Sequence, residues 1–257
     1  MNRNSLFTRF TLSAVLILIA PACVLAQGIA AATPVSKAQQ ALDQASKDGR
    51  YTFLVFYRQS DDATKAMAGT IKDGIADKEK LAVATYVQVT DPTNQALVTK
   101  YDVSRAPMPL TIVVAPNGAM TGIFPQKATA ENVSDAFVTP TMLSTMKSLQ
   151  EGKLVLVTVQ GSAKSAAPVA LRDFQSDPHF KDRIVALSMT AADPRETKFI
   201  GQMQIDAKAT VTHTVLLAPP GVLVGKFNAA ASKDEIAAVL AKAGKCCDDP
   251  NCKHHGK

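Results

Sequence analysis

The chain has 257 residues, of which 47% are hydrophobic and 19% are charged, a composition typical of one large or two ordinary globular domains. The formal net charge of +6 is a mild excess that is spread along the sequence. Because the chain has no tryptophan and only 5% aromatic residues, surfaces that stack on bases are not evident, and no nucleic-acid partner is expected.

The N-terminus has the pattern of a secretory signal peptide. Arg3 and Arg9 flank a polar start, and residues 12–20 form a short apolar run. Residues 24–26 (VLA) then place small residues at the positions that a signal peptidase recognises. We therefore expect export to the bacterial periplasm or cell envelope, with a mature chain that begins at Gln27.

The apolar run is shorter than the roughly 20 residues that cross a bilayer, and no later stretch is long enough either. No transmembrane segment is therefore expected. Cys23 offers an alternative, a lipoprotein anchored through this cysteine, but the leucine that usually stands three places before such a cysteine is absent.

Apolar periodicity and turn residues predict alternating helices and strands up to residue 150. Ser36 is placed to cap the first helix, and Asp91-Pro92 puts a proline in the first turn of another. In chain order, the predicted elements are a helix over 36–49, a strand over 51–57, a helix over 61–75, a strand over 81–89, a helix over 91–101, strands over 110–115 and 119–124 joined by the turn 116–118, and helices over 129–137 and 141–150.

The same order begins again at Lys153. The predicted elements there are a strand over 154–159, a helix over 165–174, a strand over 184–189, a helix over 193–203, strands over 211–218 and 222–227, and a helix over 232–243. Four landmarks recur at offsets of 102 to 104 residues: Asp91-Pro92 with Asp193-Pro194, Asp102 with Asp206, 115–118 with 218–221, and Phe124 with Phe227. Four matching pairs in order indicate two copies of one α/β domain.

These elements predict a signal peptide over 1–26, one domain over 27–150, a second domain over 151–244 and a Cys/His-rich tail over 245–257. Strand–helix–strand crossovers require parallel pairing, with helices on both faces of the sheet. The tight turn between the last two strands adds an antiparallel hairpin. The predicted fold is therefore α/β, with a mixed central sheet flanked by helices in each of two tandem domains.

This order of elements resembles the thioredoxin fold. Thioredoxins carry an aromatic-rich strand end, then a Cys-x-x-Cys motif at the start of a helix, and then a lysine. In this chain Phe56-Tyr57 and Lys65 match the flanks of that motif. Asp61 and Thr64 fall where the two cysteines would stand.

The resemblance also implies a cis proline just before the third core strand, and Pro107 is the candidate, with Thr210 at that place in the second copy. In the family, the residue before this proline offers its backbone to an extended peptide, which adds as a strand. Ala106 and Pro107 are therefore the candidate partner-binding residues. The alternative is that the proline only shapes the turn.

The missing cysteines decide the expected chemistry. Thiol–disulfide exchange needs an attacking thiolate and a second thiol that resolves the mixed disulfide. Asp61 and Thr64 supply neither, and residues 160–165 (QGSAKS) of the second copy contain no cysteine. We therefore expect two redox-inactive thioredoxin-like domains in a protein that binds a protein partner and is not an enzyme.

The two acids at the start of the second predicted helix have two interpretations. Asp61 and Asp62 would form a carboxylate pair for metal binding or acid–base chemistry. Alternatively, Ser60 caps the helix and the two acids offset the positive end of its dipole. The second interpretation is favoured, since acids are common in first turns and no histidine or third acid lies nearby in the sequence.

The tail holds every cysteine that follows the signal peptide, together with two of the four histidines. Thiolate sulfur and imidazole nitrogen are the usual ligands of zinc and copper(I). The candidate metal ligands, whose spacing fits no standard zinc-finger pattern, are Cys246, Cys247, Cys252, His254 and His255.

Three further interpretations of the tail stay open. Export to an oxidising compartment favours a disulfide from Cys252 to Cys246 or Cys247, which leaves one cysteine over. A solvated tail without a role is the second. In the third, the tail cysteines replace the missing motif and the protein is a thiol–disulfide oxidoreductase.

Overall fold

The structure is a computed structural model that describes residues 35–161, 168–206 and 208–243. The predicted signal peptide, Cys23, the start of the predicted helix over 165–174 and the Cys/His-rich tail lie outside these residues. Within the described ranges, no helix combines the length and the apolar character needed to cross a bilayer.

The observed helices and strands follow the predicted order closely. In the first half they are α1 (Lys37–Lys47), β1 (Tyr51–Tyr57), α2 (Asp62–Gly74), β2 (Ala82–Gln88), α3 (Gln95–Lys100), β3 (Leu110–Val114), β4 (Met120–Pro125), α4 (Ala130–Asp135) and α5 (Pro140–Gln150). In the second half they are β5 (Leu154–Gln160), α6 (Val169–Ser176), β6 (Ile184–Thr190), α7 (Thr197–Gln202), β7 (His213–Ala218), β8 (Val222–Asn228) and α8 (Lys233–Ala243). A single 3-10 turn precedes each of α3 and α7.

Two four-stranded sheets carry these elements, in the orders β2-β1-β3-β4 and β6-β5-β7-β8. The first two strands of each half pair in parallel, and the other pairs are antiparallel. This strand order, with helices on both faces, is that of the thioredoxin fold. The predicted fold class is therefore confirmed for both halves.

The first strand of each half is buried on both faces. In β1, Phe53 and Val55 pack against α2 and α4, whereas Leu54 and Phe56 pack against α1 and α3. All four side chains are fully buried. Burying each side chain of this size contributes about 1.5–3 kcal/mol, so a continuous apolar run at this position anchors the whole sheet.

Helix α5 opens the second copy of the repeat. Its cap Thr139 lies 103 residues after Ser36, the cap of α1, and both hydroxyls accept the N–H three residues on. Met142 and Leu149 pack on the core of the second sheet, while Leu143 and Met146 pack on the core of the first. The helix that sequence analysis placed at the end of the first domain is thus shared by both.

One predicted landmark pair is wrong. Asp102 and Gln204 hold the left-handed backbone that ends α3 and α7, with φ values of 48° and 57°. The structural partner of Asp102 is therefore Gln204, and the match to Asp206 was two residues too long. Both residues close their helix with an amide hydrogen bond to the carbonyl three residues earlier.

Two polar contacts join the halves beside α5. The Thr139 hydroxyl donates to Glu196 Oε2 at 2.6 Å, and Lys198 Nζ lies 2.8 Å from Asp135 Oδ1. Glu196 is buried, so its carboxylate needs the hydrogen bond from this hydroxyl to offset the loss of water. The pair between Lys198 and Asp135 is exposed and adds little to stability.

Two glycines of α2 give opposite predictions for alanine substitution. Gly74→Ala puts a Cβ 2.7 Å from Val133 Cγ1 of α4, so we expect a loss of about 1–3 kcal/mol in the free energy of unfolding. Gly69→Ala meets nothing within 4 Å and should gain about 0.5–1 kcal/mol, because alanine loses less backbone entropy in a helix. Urea denaturation followed by circular dichroism measures both; equal effects would contradict the packing of α2 on α4.

Candidate functional site

The junction between β1 and α2 is built by local hydrogen bonds. Asp61 has the extended backbone of an N-cap, and its Oδ1 accepts the Thr64 N–H at 2.8 Å. The Thr64 hydroxyl in turn donates to the Gln59 carbonyl at 3.0 Å. Both side chains at the cysteine positions of the thioredoxin pattern are thus engaged in shaping the turn.

The prediction that Ser60 caps this helix is wrong. Because α2 begins at Asp62, the capping position belongs to the residue directly before it, which is Asp61. Asp62 itself has a fully exposed side chain and only a long contact of 3.5 Å to Lys65. Among the described residues, no three His, Cys, Asp or Glu side chains are grouped to hold a metal ion.

The hydrogen bond that the Thr64 N–H donates holds the pKa of the Asp61 carboxyl below its usual range, and the positive charge of Lys65 adds to this effect. A carboxyl group that is so readily ionised is a poor general acid at neutral pH. The electrostatics of the junction therefore agree with a helix cap rather than with acid–base catalysis.

The cis proline before β3 is Pro109, not Pro107. The cis peptide bond joins Met108 to Pro109, directly before the first strand residue, Leu110. Leu110 pairs with Phe56 near the end of β1, so the cis bond lies beside the junction.

In the second half Val159 pairs with His213, which puts Thr212 at the equivalent place instead of the predicted Thr210. A second cis bond, Pro219–Pro220, lies in the β7–β8 turn.

The β1–α2 junction and the loop that leads into β3 face each other across a cleft of about 420 Å³. Arg58 joins them, since its Nη2 donates to the Ser104 carbonyl at 2.9 Å. The cleft is lined by Arg58, Gln59, Asp61, Thr64, Ala106, Pro107, Met108 and Pro109. The structure therefore brings the predicted residues Ala106 and Pro107 together with Asp61 and Thr64.

Within the part of the chain that the structure describes, Met108 has both of its backbone polar groups free for a hydrogen bond with a partner chain. Among the described residues, neither the N–H nor the carbonyl of Met108 takes a hydrogen-bond partner, whereas the Ala106 N–H donates to the Val103 carbonyl at 3.1 Å. Sequence reasoning missed Met108 and Arg58. The pair of prolines flanking Met108 was the available signal, but choosing between them needed the register of β3 on β1.

The second half differs at the equivalent junction. Gly161 follows β5 as Arg58 follows β1, and a Cβ added to Gly161 would overlap the Thr210 carbonyl. The strand end and the loop before β7 are thus in direct backbone contact. The predicted metal ligands of the tail, named above, lie outside the described residues.

No protein-family model and no curated protein matches this chain. Among solved structures, the disulphide isomerase from Xylella fastidiosa Temecula1 is 16% identical over 39% of this chain and 88% of that one, with a TM-score of 0.31. The zinc-bound form of human ERp44 is 12% identical over 83% of this chain and 60% of that one, with a TM-score of 0.35. The first two thioredoxin domains of Saccharomyces cerevisiae Eps1p are 12% identical over 82% of this chain and 97% of that one, with a TM-score of 0.30.

Since these similarities are weak, the strand order of the two sheets carries the fold assignment. The structure is that of two tandem domains with the thioredoxin fold. At the start of α2, a capping aspartate and a buried threonine stand where the resemblance places the redox cysteines.

The cap at the junction predicts a pH-dependent difference between two variants. Asp61→Ala removes the acceptor for the Thr64 N–H and should lower the thermal midpoint by about 2–4 °C at pH 7. Asp61→Asn keeps an acceptor and should lose less. The depressed pKa of Asp61 means that its charge stabilises the fold above about pH 4 and loses this effect as the pH falls further.

Thermal scans from pH 7 to pH 2.5 measure this prediction. The difference in thermal midpoint between the native protein and Asp61→Asn should become smaller at low pH, where the carboxylate is protonated. A difference that grows at low pH would show that the charge is unfavourable in the folded state. Asp62→Asn, at the exposed neighbour that accepts no backbone N–H among the described residues, is the control and should lower the thermal midpoint at pH 7 less than Asp61→Ala does.

Proposed function

We propose that this chain is an exported, non-catalytic thioredoxin-like protein whose first-half cleft binds an extended segment of a partner protein. The single observation that carries the proposal is the identity of the residues at the two positions where thioredoxins have their redox cysteines. Asp61 and Thr64 stand there, and both are committed to local hydrogen bonds. The described residues contain no thiol, so the cleft itself provides no nucleophile for disulfide exchange.

The shape and polarity of the cleft support binding of an extended chain. Pro107 is exposed at its edge, and the Met108 amide and carbonyl have no partner among the described residues. Unpaired backbone groups next to a strand end are what an added strand requires. The partner segment would pair with Met108, whose N–H and carbonyl are without a partner among the described residues just before β3 begins.

The tail forms the second part of the proposal. Cys246, Cys247 and Cys252, with His254 and His255, would hold one zinc or copper(I) ion. The support is the residue types and their concentration within a short segment. Ligand thiolates and neutral imidazoles favour metal at neutral pH and lose it on acidification.

A matched pair of tryptophan substitutions tests the cleft. Pro107→Trp places a large side chain at its edge and should weaken binding about tenfold or more, whereas Pro178→Trp, at another exposed proline, should leave it unchanged. The probe is a permanently unfolded polypeptide whose cysteines are blocked with iodoacetamide, followed by biolayer interferometry. Equal binding by both variants would place the partner elsewhere, and no binding by the native protein would overturn the proposal.

A disulfide-reduction assay separates binding from catalysis. The mature protein, which should begin at Gln27, is expected to add nothing to the rate at which dithiothreitol alone reduces an oxidised protein substrate. Turnover that disappears in Cys246→Ser or Cys252→Ser would instead establish the alternative, an oxidoreductase that uses its tail. Binding of the blocked polypeptide should be unaffected by either serine substitution.

Removal of the tail tests the metal site. Untagged protein should carry about one equivalent of zinc or copper by elemental analysis, and deletion of residues 245–257 should abolish it. The far-ultraviolet circular dichroism spectrum of the truncated protein checks that the helices and strands of the described residues persist. Absence of metal together with a mass lower by two hydrogens in the full chain would favour the disulfide.

A further inference from the structure

We propose that Arg58 determines the specificity of the first-half cleft and selects partner segments that carry a carboxylate side chain close to Met108. This inference rests on the proposed function, since it names the class of segment that the same cleft accepts. The chemistry of recognition is that of a guanidinium group and an aspartate or glutamate of the partner.

The orientation of Arg58 is the first observation. Its Nη2 donates to the Ser104 carbonyl at 2.9 Å, so the side chain extends from the end of β1 to the loop that leads into β3. This bond uses only one of the several donors of a guanidinium group. The remaining donors lie in one plane with it, an arrangement that suits a bidentate carboxylate.

The lack of an internal partner is the second observation. Among the described residues, no carboxylate lies within salt-bridge distance of Arg58. Arg50 and Arg195, in contrast, form ion pairs of 2.8 and 2.7 Å with Asp48 and Asp193. Arg58 is also exposed, so an incoming carboxylate reaches it without displacing a protein group.

The charge around the cleft is the third observation. Among the described residues, Asp61 is the only acid that lines the cleft, and its carboxylate already accepts the Thr64 N–H. Arg105, beside Ser104, adds a second exposed positive charge. Asp62 and Lys65 offset each other outside the cleft lining. The cleft is therefore positive at the end where Arg58 lies.

The second half supplies an internal contrast. Gly161 occupies the position of Arg58 there and has no side chain to offer. Its backbone packs directly against that of Thr210, so a side chain at this position would not fit without movement of the loop. The cation is therefore a feature of one repeat and not a requirement of the fold.

Three peptide pools measure the preference. Each pool contains randomised ten-residue peptides with a fixed central Glu, Gln or Lys, and binding is followed by fluorescence anisotropy. The native protein should bind the Glu pool about three- to tenfold more tightly than the Gln pool, and this preference should shrink as salt is raised. Arg58→Gln should lose most of the preference for the Glu pool over the Gln pool, with Arg105 keeping a small remainder, and Arg58→Glu should favour the Lys pool.

Two further variants sharpen the assignment. Arg58→Lys keeps the charge without the planar donors and should retain only part of the preference. Arg172→Gln, at an exposed arginine of α6, is the matched control and should keep all of it. If Arg58→Gln retains the full preference for Glu, the inference is wrong while the proposed function stands. If the native protein binds no pool, both are overturned.

Discussion

Burial of β1 and β5 on both faces is the constraint on which the rest of the structure depends. Each strand lies between two layers of helices and has a neighbour on both sides in its sheet. A strand in this position cannot shift by one residue, because every side chain would then exchange faces. The register of β1 sets where the chain leaves the sheet, and so brings Arg58 and Asp61 opposite the loop that contains Met108.

Much of the fold could be predicted because its signals are local. The bounds of β1 were predicted correctly from a run of apolar residues that only Thr52 interrupts. The Asp-Pro starts of two helical turns were predicted from the residues themselves. The cap of α2 and the cis proline were each misplaced, by one residue and by two. In each case a second residue nearby could fill the same role, Ser60 beside Asp61 and Pro107 near Pro109. The start of the helix decides which residue caps α2, and the pairing of β3 with β1 decides which proline precedes β3.

The two halves show how one fold supports different junctions. Their sheets have the same strand order, and the helices that precede their first strands, α1 and α5, are capped in the same way. The chain that leaves the first strand nevertheless presents a long cationic side chain in one half and a bare glycine in the other. Since the core does not depend on this position, its chemistry is free to differ, and the candidate site is confined to loops that a shared scaffold positions.

Helix α5 has a mechanical consequence. One of its flanks closes the first core through Leu143 and Met146, and the opposite flank covers the second sheet through Met142 and Leu149. A flexible linker would let the two halves reorient independently. A helix that packs into both cores couples their motion. A partner segment bound in the first-half cleft would therefore keep a defined orientation relative to the second half.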